Sequence, residues 1–260
     1  MKNKIDTLFE TKENGILSVF FTAGYPHLND ASRILKELQE NGVDLIEIGI
    51  PYSDPLADGP VIQNASQTAI ENGMNLELLF KQLDMASSKI RVPLILMGYL
   101  NTVIQFGIEK FYKMCSENSV SGVILPDLPL QVFKKEHEAF ASKYDIKVIF
   151  LITPNTSIER IKQIDAVCTG FIYVVSSNSI TGNNHQNFET LEKFYAQLHQ
   201  IPLKNKTLIG FGINDHASFT KASKLAKGAI IGSAFIKALS KKQSISSFLN
   251  SIKNIQTITS

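Results

Sequence analysis

The chain has 260 residues, 44% hydrophobic and 19% charged, an ordinary globular balance with ample apolar material for one large core. Its net charge of +2 is dispersed and carried mainly by lysine, with arginine only at 33, 91 and 160 and no basic stripe interleaved with aromatics, which argues against a nucleic-acid partner. Cys115 and Cys168 lack disulfide or metal spacing, the polar N-terminus has no signal-peptide core and no apolar run is long enough to span a bilayer, so a soluble cytoplasmic protein in a reducing compartment is expected.

A first amphipathic stretch, Ile5–Lys12, predicts a helix that covers the bottom of whatever follows. Branched apolar runs then alternate with helical patterns to the end of the chain. Strands are predicted at Leu17–Phe21, Leu45–Ile50, Leu94–Met97, Gly122–Leu125, Val148–Ile152, Phe171–Val175, Thr207–Gly210 and Ala229–Ile231. Helices are predicted between them at Asp30–Asn41, Val61–Asn72, Leu76–Ser87, Ile108–Asn118, Val132–Tyr144, Ser157–Asp165, Phe188–Gln200 and His216–Ala222, with a last one at Ser244–Ile255. Such alternation implies parallel strands joined by crossover helices, and continuous apolar strands imply burial on both faces. The pattern predicts one α/β domain over residues 1–260, a single (β/α)8 TIM barrel with an extra N-terminal helix. An open doubly wound sheet is the alternative, because periodicity does not report closure.

Chemistry in such a barrel sits at the C-terminal strand ends and in the loops behind them. Those ends read "FTAGYP", "EIGIPYSDPLADGP", "MGYLN", "LPDLP", "LITPN", "VVSSNSITGNN", "GFGIND" and "IGSA". No lysine stands among them to form an imine, and no histidine has a second ligand at metal spacing. The carboxylates Glu47, Asp54, Asp58 and Asp127 remain, which points to acid–base chemistry. Strand alternation turns Glu47 towards the lumen with Leu45 and Gly49, where loss of water raises a carboxyl's pKa into the working range of a general acid or base. Gly49 is expected to leave room for a ligand. The plainer alternative for Glu47 is a buried carboxyl paired with an inward tyrosine or a backbone donor. Asp54 before Pro55 and Asp58 before Gly59 are also common turn pairs, and their place on a proline-stiffened loop just beyond Glu47 is what singles them out.

An anion site is expected opposite. "GFGI" (210–213) follows strand 7, and "IGSA" (231–234) follows strand 8 and opens a short helix, Ala234–Leu239. Glycine backbones and a helix N-terminus together bind phosphate. With no arginine or lysine read as near Gly212 or Ser233, backbone donors and the helix dipole are expected to carry the charge. Thr181 and Gly182 lie in the polar loop "SSNSITGNNHQN", which reads either as a mobile lid with a third phosphate contact or as a loop without function.

The motifs "FFTAGYP" (20–26), "LIEIGIPYSDPLADGPVIQNA" (45–65), "MGYLN" (97–101), "GVILPDLPL" (122–130), "YVVSSNSITG" (173–182), "GFGI" and "IIGSAFIK" (230–237) give the chain a resemblance, over its whole length, to the tryptophan synthase α-subunit family. The resemblance implies a lyase of tryptophan biosynthesis that cleaves indole-3-glycerol phosphate to indole and glyceraldehyde 3-phosphate by a retro-aldol reaction. It implies no cofactor in this chain, and a partner β subunit, in an α2β2 heterotetramer, that holds pyridoxal phosphate. Glu47 then matches the family's proton-shuttling glutamate and Asp58 the aspartate that takes the indole N–H. Phe20 and Tyr173 would contact the substrate, Tyr173 bracing it or Glu47. Thr181, Gly182, Phe211, Gly212, Gly232 and Ser233 match substrate and phosphate positions, and Asp127 is accessory. Ser177 stands where the family usually has arginine and Ser179 where it has glycine, which bears on lid closure, and Thr102 replaces a frequent proline. A stand-alone indole-glycerol-phosphate lyase and a non-catalytic activating subunit are the other readings of the same residues.

Overall fold

The structure, a computed structural model, describes residues 2–175, 184–210 and 212–254. Its eight strands pair in parallel, each with its sequence neighbour, and close into a barrel in the order β1 to β8. They are β1 (Ile16–Thr22), β2 (Leu45–Gly49), β3 (Leu94–Met97), β4 (Val120–Ile124), β5 (Lys147–Ile152), β6 (Ile172–Val175), β7 (Thr207–Gly210) and β8 (Gly228–Ile231). Closure is direct: β8 pairs with β1 through Ile16 opposite Gly228 and Val19 opposite Ile231. The first four strands and β7 and β8 are buried along their whole length, which is why the sequence shows unbroken apolar runs instead of alternation.

Helices wrap this barrel with their apolar stripes inward, as in Ala31–Glu40, whose Ala31, Ile34, Leu35 and Leu38 are buried while the face between them is charged. The helix Lys4–Thr11 lies across the lower rim. Asn3 caps it, accepting from the Ile5 N–H, and its amide donates to the carbonyls of Ser121 and Asp145 at 3.0 and 2.8 Å. Two features depart from the sequence reading. A helix over Leu100–Phe106 stands directly behind "MGY", and the predicted helix at 132–144 is Leu130–Val132 and Glu138–Lys143 joined by a π-helical turn at Phe133–His137. The π turn brings His137 into the core, where its Nδ1 meets the Tyr112 hydroxyl at 3.2 Å. No described helix is long and apolar enough to cross a membrane, and both cysteines are buried thiols.

Candidate active site

The upper end of the barrel holds a cavity of about 200 Å³. Phe20, Ile62 and Met97 line it with Asp58 and Tyr173. Gly212, Asn214, Gly232, Ser233 and Lys237 give it a more polar part, and Gly232 lies against Phe20 and Ile62. A narrow recess past Phe20 and Asp58 is lined also by Thr22, Ser66 and Tyr99.

Glu47 stands in β2 opposite Phe20 of β1 and Ile95 of β3, and is 0% exposed. Its Oε1 accepts a hydrogen bond from the Ser18 hydroxyl at 2.8 Å, while Oε2 is buried with no partner among the described residues. Burial pushes the carboxyl up to about 8, with the Ser18 hydroxyl pulling the other way because it favours the charged form. Glu47 is therefore mostly a neutral acid at pH 7. It is not among the residues that line the cavity. The room expected at Gly49 is occupied: a Cβ there would lie 2.5 Å from Cζ of Phe20, so the glycine accommodates that ring and not a ligand.

Asp58 is held by its neighbours. Its Oδ2 accepts from the Tyr99 hydroxyl at 2.9 Å, and that same hydroxyl accepts the N–H of Ala57 at 3.0 Å. The Tyr99 ring stacks on Tyr52 with centroids 5.0 Å apart, and the Tyr52 N–H donates to Ser66 at 2.9 Å, so the start of the loop is tied to the helix that follows it and its end to the segment behind β3. Gln63 closes the turn by donating to the Asp58 carbonyl at 2.9 Å. Pro60 is the first residue of the helix Pro60–Glu71, a position where a missing N–H costs nothing. Burial raises the Asp58 carboxyl to about 6, opposed by the Tyr99 hydrogen bond, and Oδ1 has no partner among the described residues. Asp58 is thus mostly ionised at pH 7 while Glu47 is mostly not. Tyr173 of β6 feels both: burial and then the fields of Glu47 and Asp58 push its hydroxyl well above the usual tyrosine range, so it stays a donor. Its ring lies against Gly210 so closely that a Cβ there would sit 2.1 Å from the hydroxyl oxygen.

In the more polar part, Gly232 caps the helix Ser233–Ser240, no side chain satisfies its first turn, and Ser233 and Ala234 line the cavity. Gly212 has φ +73°, a left-handed conformation that favours glycine. The expectation that no cation stands nearby is corrected: Lys237, one turn beyond Ser233, lines the same cavity. Asp127 is exposed, away from the cavity, and both its oxygens accept the Leu100 N–H, at 2.9 and 3.1 Å, which caps the Leu100–Phe106 helix. Asp54 is exposed on the loop. Phe211, Thr181, Gly182, Ser177 and Ser179 lie outside the described residues. Sequence reasoning missed Ser18, Tyr99 and Lys237. Ser18 shares a strand face with Phe20, Tyr99 follows the end of β3, and Lys237 is four residues after Ser233 on a helix, so each had a positional signal. Among the described residues no three His, Cys, Asp or Glu side chains gather as a metal site.

The family model for the tryptophan synthase alpha chain matches residues 7–258. A tryptophan synthase alpha chain of Flavobacterium johnsoniae is 49% identical over 244 residues, 93% of this chain and 96% of that one. The alpha chain of Bacteroides fragilis is 43% identical over 259 residues, 99% and 98% of the two chains. Among solved structures, the tryptophan synthase subunit alpha of Legionella pneumophila superposes with a TM-score of 0.86 at 29% identity, covering 98% of this chain and 100% of that one.

Proposed function

The chain belongs to the tryptophan synthase α-chain family, and on that premise we propose that Glu47 and Asp58 carry the retro-aldol cleavage of indole-3-glycerol phosphate in one catalytic domain spanning residues 1–260. The reaction is a lyase step of tryptophan biosynthesis. Its difficulty is the leaving group: an indole carbanion is poor, and an indole protonated at C3 is good. Neutral Glu47 delivers its proton to C3, and positive charge spreads to the ring nitrogen. Asp58, still ionised, accepts the indole N–H and stabilises that charge. Glu47, now a carboxylate, takes the proton of the hydroxyl on the adjacent glycerol carbon. The O–H electrons become the carbonyl of glyceraldehyde 3-phosphate, the C–C pair returns to the ring, and Glu47 is an acid again.

The two carboxyls need opposite protonation states at one pH, and their surroundings separate them: a sealed apolar lumen for Glu47, a hydrogen-bonded loop for Asp58. That separation carries the reading. Phe20, Met97 and Ile62 offer the indole an apolar wall, and Tyr173 a donor. Gly212, Gly232 and Ser233 take the phosphate, with Lys237 adding the charge, and Phe211, Thr181 and Gly182 complete the substrate contacts. The α chain works without a cofactor of its own, beside a β subunit that holds pyridoxal phosphate in an α2β2 assembly. The loop 51–59, with Leu56 82% exposed at its tip, is the surface for that partner.

The pH profile of kcat/KM for indole release tests the protonation states. Activity is expected to fall below about pH 6 as Asp58 gains a proton and above about pH 8 as Glu47 loses one. A rate that stays level or climbs from pH 8 to about pH 9.5 contradicts Glu47 as the initial acid.

A further inference from the structure

We propose that Ser18 is a positioning residue for this cleavage: its hydroxyl occupies Oε1 of Glu47 and so leaves Oε2 as the oxygen that gives and takes the proton. The inference rests on Glu47 being the acid–base group and adds how its proton is placed. Ser18 lies on β1, 0% exposed, and its hydroxyl donates to Oε1 at 2.8 Å. Oε2 is equally buried and has no partner among the described residues. A neutral carboxyl carries one proton and can place it on either oxygen. Were it on Oε1, the serine hydrogen would lose its acceptor inside an apolar lumen, where a buried donor left unpaired is costly. The proton is therefore held on Oε2. The same hydroxyl stabilises the carboxylate formed after proton delivery, so it serves both halves of the shuttle.

Little else bears on Glu47. Among the described strand residues the other ionisable side chains are Tyr173, whose hydroxyl feels the field of Glu47, and Lys147, which pairs at 2.8 Å with Asp6 of the helix below the barrel. Asp58, from the loop, acts on Tyr173 as well. Against that background one hydroxyl has leverage over when Glu47 ionises, since burial otherwise favours only the neutral form.

Ser18→Ala removes the donor and leaves the backbone and the cavity wall alone. The alkaline limb of kcat/KM is expected to move up by about one pH unit, kcat to fall about tenfold at its optimum, and KM to stay within about twofold. Should that variant fail to fold, Ser18→Cys keeps the shape with a weak donor and is expected to move the limb the same way. A limb within about 0.2 pH units of wild type, or a loss confined to KM, overturns the role of Ser18. Glu47→Gln run alongside separates the two readings. If it is inactive while the Ser18 limb does not move, Ser18 alone is refuted; if it is active, the assignment of Glu47 falls and this proposal with it.

Discussion

A buried carboxyl is expensive, and Glu47 is a case where the cost has a measurable sign. In the unfolded chain it titrates near the ordinary 4.5, in the barrel near 8. Below the lower value both states are protonated and there is no penalty. Between the two, the unfolded chain ionises while the folded one does not, so stability is lost as pH rises, fully above about 8. Glu47→Gln has nothing to titrate. Its melting temperature is expected to exceed that of wild type by more at pH 9 than at pH 5; an equal difference at both would mean that Glu47 does not carry this shift. Legibility at this scale follows chain direction. Strand alternation exposes a glutamate among branched apolar residues, and so Glu47 is readable. Its partner is not, because Ser18 comes from another strand and reads locally as one polar residue in an apolar run. Gly49 misled for the same reason: an empty side chain in sequence says nothing about which ring fills the space.

The loop 51–59 acts as an element because Tyr99 ties it to β3. The Tyr99 hydroxyl supports Asp58 against desolvation and satisfies Ala57, so Tyr99→Phe leaves an amide without its acceptor and a carboxyl without its donor. Asp58 then protonates more readily, and the acidic limb of kcat/KM is expected to shift upward from about 6, with little change on the alkaline side. An unmoved acidic limb would show that the loop does not need this clamp. The helix that begins at Leu100 escaped prediction because its cap, Asp127, lies on the following βα loop, and a cap supplied across strands leaves no mark in the local pattern. Gly212→Leu places a bulky side chain at φ +73° on the wall of the cavity, where the phosphate is proposed to bind. It is expected to raise KM for indole-3-glycerol phosphate by tenfold or more, about 1.4 kcal/mol of lost binding, while leaving the binding of free indole, which has no phosphate, intact. Equal losses for both ligands, seen by calorimetry, would place the phosphate elsewhere.

At the scale of the whole molecule, the parallel barrel was legible because eight short apolar runs alternate with amphipathic ones; the strands lie within two residues of their predicted ends, while helix ends move by up to four residues and the helix at 132–144 is interrupted by the π turn. Closure was expected from eight βα units in a chain of this length, although periodicity does not report the pairing that makes it, β8 against β1 across the length of the chain. The barrel brings the proposed parts together: it buries one carboxyl in its lumen, hangs the other on a tethered loop and sets a helix N-terminus with Lys237 on the same cavity as Asp58. The claim that these parts form one acid–base device is tested most directly by measuring kcat for indole release from indole-3-glycerol phosphate by wild type and Glu47→Gln, each at its own optimum pH. Glutamine keeps the size and one acceptor but carries no transferable proton, so kcat is expected to fall by about 10²–10⁴ with KM nearly unchanged. Retention of more than about a tenth of wild-type kcat would contradict the account.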